Sequence, residues 1–150
     1  MVAADSGAGG AQSLGFVVGD IVRLLRRDFL ARGRGLRLTP ALARLLFHVD
    51  RAPGSHQSEL AARLEVTPVT LGRMLDRLVE RGYLRRVADQ GDRRAFRVYL
   101  DHAGEPLVGQ MNDIRRETEA RATAGLSGRE RSALLALLAR VRDNLIDGET

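Results

Sequence analysis

The sequence predicts a mainly α-helical fold carrying one small β-wing, and three observations lead there. Apolar residues recur at helical spacing in six separate segments. One stretch, residues 95–100, alternates with period two instead, as a half-buried strand does. The composition leans on Ala, Leu, Arg and Glu, which are good helix formers, while aromatics make up only 4%. The core must therefore be built mostly from Leu, Val and Ala. With 150 residues, 44% hydrophobic and 29% charged, the chain suits a single domain with a real core.

Residues 1–12, MVAADSGAGGAQ, lack the basic start and apolar centre of a secretory signal and are expected to form a disordered tail. Ser13 can cap a first helix in which Leu14, Val17, Val18, Ile21, Leu24, Leu25 and Phe29 share a stripe, ending near Arg32. Thr39-Pro40, a cap followed by proline at the first helical position, opens a second helix to about Asp50, and RAPGSH breaks the chain. Gln57 to Leu64 is a short third helix with Leu60, Ala61 and Leu64 inward, and Glu65-Val66 makes a turn. Thr67-Pro68 repeats the cap-plus-proline signature for a fourth helix ending near Gly82. Tyr83 to Leu100 is a two-stranded ribbon. Asp101 is expected to cap a fifth helix, interrupted near Gly104–Pro106 and continuing to about Ala124. Ser127 and Glu130 have capping-box spacing ahead of a last helix rich in leucine.

Several chemistries are excluded or disfavoured. The chain has no Cys, which removes disulfides, thiol catalysis, cysteine-ligated zinc and thiol redox sensing. His48, His56 and His102 fall in no metal-ligand spacing, so no metal and no cofactor is expected. There is no nucleophile elbow and no phosphate-binding glycine loop, so an enzyme is not expected. No apolar run approaches membrane-spanning length, and the default location is the cytoplasm. The net charge is +5, the isoelectric point is about 11.0, and every basic side chain is Arg. Genome composition accounts for the Arg bias; the basicity itself favours a polyanionic partner such as nucleic acid.

The order short helix, tight turn, longer helix, ribbon is that of a helix-turn-helix followed by a wing, a device for reading a DNA groove. On the fourth helix, Leu71, Met74, Leu75 and Leu78 form the core stripe, and Thr70, Arg73 and Arg77 lie opposite. Arg can pair with guanine O6 and N7, and Thr70 can meet a thymine methyl. The competing reading is a solvated face on which Asp76 and Glu80 neutralise the arginines. In the ribbon, Phe96, Val98 and Leu100 point one way, and the tip carries Asp92, Arg93 and Arg94. Guanidinium groups on a projecting hairpin suit a narrow minor groove, with Asp92 bracing one of them. The expected DNA contacts are Gln57, Thr67, Pro68, Thr70, Arg73, Arg77, Asp92, Arg93 and Arg94. Thr67 is primarily a cap.

These segments resemble the MarR family of bacterial transcription regulators from about residue 13 to 146. The resemblance rests on LTPALARLLFHV, SELAARLEVTPVTLGRMLDRLVERGYL, the DQGDRR wing, LDHAG, and LSGRERSALLALLARVRDNL. It implies one domain over residues 13–150, with dimerisation helices at 13–32 and 102–146 and a winged-helix lobe at 39–100. It also implies an obligate homodimer on a pseudo-palindromic stretch of double-stranded DNA. A small-molecule effector, aromatic or phenolic, would sit between the dimerisation helices and each lobe; Phe16, Arg23, Phe47 and His48 are the candidate lining. Gly91 departs from the pattern, since many members have Arg there, and Asp101 stands where Thr is usual.

The residues agree with a dimer. Leu14, Val17, Leu134, Leu138, Val141 and Leu145 lie on terminal helices with little of their own lobe to cover, and two-fold pairing would match a palindrome. The alternative is that these helices fold back on the lobe. The leading functional reading is a dimeric DNA-binding regulator, a repressor released by an effector. The alternative is a winged-helix protein-interaction module without DNA binding, favoured by Asp76, Glu80 and Gly91. A small-molecule enzyme is a distant third.

Overall fold

The computed structural model describes residues 13–147. The expected tail over residues 1–12 lies outside them. Six helices and one three-stranded antiparallel sheet follow in order: α1 (Leu14–Arg32), α2 (Pro40–Arg51), β1 (Ser55–His56), α3 (Gln57–Leu64), α4 (Pro68–Glu80), β2 (Leu84–Ala88), β3 (Phe96–Leu100), α5 (Gly104–Ala122) and α6 (Gly128–Asp147). A short 3-10 turn at Arg34–Leu36 joins α1 to α2.

Local chemistry sets the helix starts. Ser13, Thr39 and Thr67 each accept a hydrogen bond from a backbone N–H three residues on, satisfying a donor that has no acceptor inside the helix. At α6 the Ser127 Oγ accepts from the Glu130 N–H (3.2 Å), and the Glu130 carboxylate accepts from the Ser127 N–H (2.7 Å). That reciprocal pair is the capping box predicted from spacing. It holds the Glu130 carboxyl below its ordinary value, the Ser127 backbone N–H contributing most.

Two expectations need correction. RAPGSH is more than a break, because Ser55–His56 adds a third strand, pairing with Val98 and Arg97 of β3. Gly54 makes this possible. Its φ of +79° turns the chain, its N–H donates to the Val98 carbonyl (2.9 Å), and a Cβ there would meet the Tyr99 hydroxyl at 2.8 Å. Asp101 does not cap α5 with its side chain. Its carboxylate accepts from the His102 N–H, and its carbonyl accepts from the Gly104 N–H (2.8 Å). The helix starts at Gly104, where a Cβ would lie 2.0 Å from the Tyr83 carbonyl oxygen. Pro106 falls in the first turn, where its missing N–H costs no helical bond, so no interruption follows.

The core is one cluster. Leu42, Leu45, Leu46 and Val49 of α2 meet Leu60 and Leu64 of α3, the full predicted stripe of α4 (Leu71, Met74, Leu75, Leu78), Leu84 and Val98 of the sheet, and Leu107, Val108 and Met111 of α5. Glu65, in left-handed conformation (φ +54°), makes the tight corner between α3 and α4. Helix α1 is tied to α5 by polar bonds: the Asp28 carboxylate accepts from the buried Thr118 hydroxyl (3.0 Å) and from Arg121, and Arg32, which also donates to Asp28 within α1 (2.6 Å), reaches Glu117 (3.1 Å). Arg32 contributes most to holding the Asp28 carboxyl below its ordinary value, against the opposing effect of burial.

Helices α1 and α6 do not fold back to bury their apolar faces. Leu14, Phe16, Val17, Ile21, Val22 and Leu24 are exposed on α1, and Leu134, Leu135, Leu137, Leu138, Leu145 and Ile146 on α6. Val141 is half-buried. No described helix is long and apolar enough to cross a membrane.

Candidate nucleic-acid interface

The α4 surface is organised by its cap. The Thr67 hydroxyl accepts from the Thr70 N–H (3.2 Å) and donates to the Thr70 hydroxyl (2.9 Å). Thr70 keeps its own hydroxyl hydrogen for an outside acceptor. Pro68, Thr70, Arg73 and Arg77 are all exposed. Val69, which the helical stripe left unassigned, is 67% exposed in the first turn and offers an apolar surface of the kind that meets a thymine methyl.

The arginines are not quenched as the competing reading required. The Asp76 carboxylate accepts from Arg86 of β2 at 2.8 Å. Arg86 Nε also donates to Gln57 Oε1 (2.9 Å), and the Nη2 that meets Asp76 donates as well to the Gly72 carbonyl (3.3 Å). One half-buried guanidinium thus joins the start of α3, the middle of α4 and the wing. Among the described residues, Arg73, Arg77, Arg93 and Arg94 have no carboxylate within 4.0 Å. Sequence reasoning missed Arg86 because nothing local pairs β2 with α4.

Beyond the wing's last ladder pair, Ala88 with Phe96, the tip folds on two carboxylates. Asp92 braces backbone: its carboxylate accepts from the Arg94 N–H (2.9 Å) and its carbonyl from the Ala95 N–H (3.0 Å). This corrects the expectation that Asp92 holds a guanidinium. That part belongs to Asp89, the other acid of the tip. Its Oδ2 accepts from Arg97 Nε (2.6 Å) and lies 3.3 Å from His56 Nε2. Arg94 borders a shallow hollow of about 180 Å³ together with His56, Gln57 and Phe96, so Gln57 and Arg94 come together. Gln57 itself spends its carbonyl oxygen on Arg86.

A second cavity, about 200 Å³, opens between α1, α2 and α5. Phe29 and Phe47 form part of its wall, rings 5.7 Å apart and tilted by 58°. Arg26, Arg44 and Arg115 surround it. Of the four residues expected to line a pocket, only Phe47 does. Phe16 is exposed two turns or more away on α1, and Arg23 pairs with Asp20 at the surface (2.9 Å). His48 is half-buried on another face of α2, where burial foremost, then Arg44, Arg63 and Arg51, lowers its pKa. The sequence could not place the pocket, because it depends on the crossing of α1 and α5 over α2. Among the described residues, no three His or carboxylate side chains group to hold a metal.

Residues 38–95, the helix-turn-helix with the first wing strand and the tip, match the family model described as the MarR family. Over that segment the chain is similar to the MarR family. Its fold is similar to a crystal structure of MarR, with 25% identity, coverage of 95% of this chain and 97% of that one, and a TM-score of 0.82. The apo form of MarR from E. coli aligns with 27% identity over 86% and 96% of the two chains, TM-score 0.76. The transcriptional repressor CouR, solved on a 23-mer DNA duplex, aligns with 28% identity over 92% and 99%, TM-score 0.75. MarR proteins are transcriptional regulators rather than enzymes, and the six helices with a small antiparallel sheet found here are their winged-helix fold.

Proposed function

We propose that this protein is a MarR-family homodimeric repressor of transcription that binds a pseudo-palindromic operator in double-stranded DNA. Residues 39–100 form the DNA-binding lobe, and residues 13–32 and 102–146 form the dimerisation helices. One observation carries the reading. Arg73 and Arg77 on α4, and Arg93 and Arg94 on the wing, are exposed and without carboxylate partners among the described residues, while Asp76, beside them on α4, is committed to Arg86. Two protrusions bearing uncompensated cations match a major groove and a flanking minor groove. The exposed Leu faces of α1 and α6 supply the two-fold pairing that sets two lobes about one helical turn apart. CouR's complex with a duplex supports DNA as the partner, and a cytoplasmic location goes with it. The alternative of a protein-interaction module loses the argument drawn from Asp76.

The effector site is the cavity between α1, α2 and α5. Its aromatic wall suits a planar ring. Arg115 is engaged by Glu119 (2.7 Å), but Arg26 and Arg44 have no carboxylate partner among the described residues. An aromatic or phenolic anion fits this chemistry. To release DNA it must bind one spacing of the lobes more tightly than the other. The test is fluorescence anisotropy with a duplex from the protein's own upstream region. Two chains per duplex and a steep loss of affinity with salt are expected. Absent or salt-insensitive binding overturns the proposal.

A further inference from the structure

The wing has to present Arg93 and Arg94 from a seven-residue tip, residues 89–95, that the β-ladder does not reach. A single carboxylate organises it. The Asp89 side chain is only 9% exposed. Its Oδ1 accepts from the Gly91 N–H (2.7 Å), and its Oδ2 takes Arg97 Nε at 2.6 Å with His56 Nε2 at 3.3 Å. The Asp89 N–H donates to the Ala95 carbonyl (2.9 Å), closing the loop. Arg97 reaches on to the Gly54 carbonyl (3.1 Å). Thus β1, β3 and the tip turn all meet on one group. Glycine at position 91 contributes a backbone N–H but no cation, so the balancing charge comes from across the sheet.

We propose that Asp89 is the positioning residue of the wing, held by Arg97 and His56, and that it orders the tip so that Arg93 and Arg94 meet the duplex. The inference rests on the DNA-binding reading. The Gly91 N–H foremost, against burial, and then Arg97 keep the Asp89 carboxyl below its ordinary value, so it is ionised throughout the neutral range.

The sign of one substitution tests it. Asp89→Asn removes a negative charge from a DNA-facing protrusion, and long-range electrostatics alone predicts tighter binding. Loss of the clamp predicts weaker binding, about tenfold, because two long side chains must then be ordered on contact. Operator affinity is measured by anisotropy and the contacts by hydroxyl-radical footprinting. Protection is expected to vanish at the outer ends of the site and persist at its centre. In the Arg97→Gln background the effect of Asp89→Asn should shrink, since the carboxylate has already lost its partner. Should Asp89→Asn fail to fold, His56→Gln carries the test through a smaller loss of the same outer protections. Equal or tighter binding by these variants, with Arg94→Ala still impaired, overturns the clamp and leaves DNA binding standing. If Arg73→Ala and Arg94→Ala are unimpaired as well, the DNA-binding reading itself fails.

Discussion

Replacing Arg73 by Ala should separate binding from folding. The guanidinium is exposed and has no carboxylate partner among the described residues, so its loss breaks no ion pair and opens no cavity. Its neighbours Met74 and Leu75 stay buried whatever stands at position 73. Ala is also the better helix former, so unfolding free energy should move by less than about 0.5 kcal/mol. Against DNA the expected loss is much larger. A guanidinium paired with a guanine edge contributes roughly 1–3 kcal/mol of discrimination. That is about 5- to 150-fold for each copy, and a symmetric dimer loses two copies at once. The assay is anisotropy against a labelled operator duplex at several salt concentrations, with urea unfolding in parallel. If Arg73 reads a base, the salt slope should survive while Kd rises. For Arg94→Ala, a cation next to phosphates, the slope should drop by about one counterion per copy. A Kd for Arg73→Ala equal to that of the parent, in a protein of unchanged stability, would refute the role given to α4.

Arg86→Ala should damage both properties. It removes three hydrogen bonds from a half-buried charged group, costing about 1–3 kcal/mol in urea unfolding, and it frees α4 from the wing. Arg86→Lys should restore little, because an ammonium cannot fork between Gln57 and Asp76. Leu134→Glu with Leu138→Glu should yield single chains in sedimentation with the lobe still folded, since neither residue belongs to its core. Acidification should act in two windows. His48 has a lowered pKa, so its contribution is complete above the ordinary histidine value and lost as pH falls below about 6.5. His48→Gln should flatten that part of the thermal-midpoint curve. Asp28, also lowered, contributes above the ordinary carboxylate range and is lost only as pH falls below about 4; Asp28→Asn should shrink that second limb, which Asp89 and Glu130 share, and leave the first unchanged.

Periodicity and capping chemistry are local, and they carried most of the fold. Three threonine or serine caps, two with proline at the next position, and a capping box are set by residues within one helical turn. They could therefore be read along the chain. The same holds for the core stripe of α4 and for Val98 as the buried residue of its strand, whereas Phe96, expected on the same inward face, is exposed. What required three dimensions were contacts between residues far apart in sequence. β1 was hidden because a two-residue strand has no periodicity, and only its pairing with Val98 and Arg97 defines it. Asp76 lies beside arginines on its own helix, yet it serves Arg86, ten residues away, because the β2 strand packs across α4. Asp89 rather than Asp92 braces a guanidinium, because Arg97 and His56 converge on it from two different strands. The amino acids alone settled which segments are helical and which faces are apolar, since those follow from nearest neighbours. Only the tertiary structure decided which charges cancel and where a cavity opens, because electrostatic pairing and packing depend on distance in space.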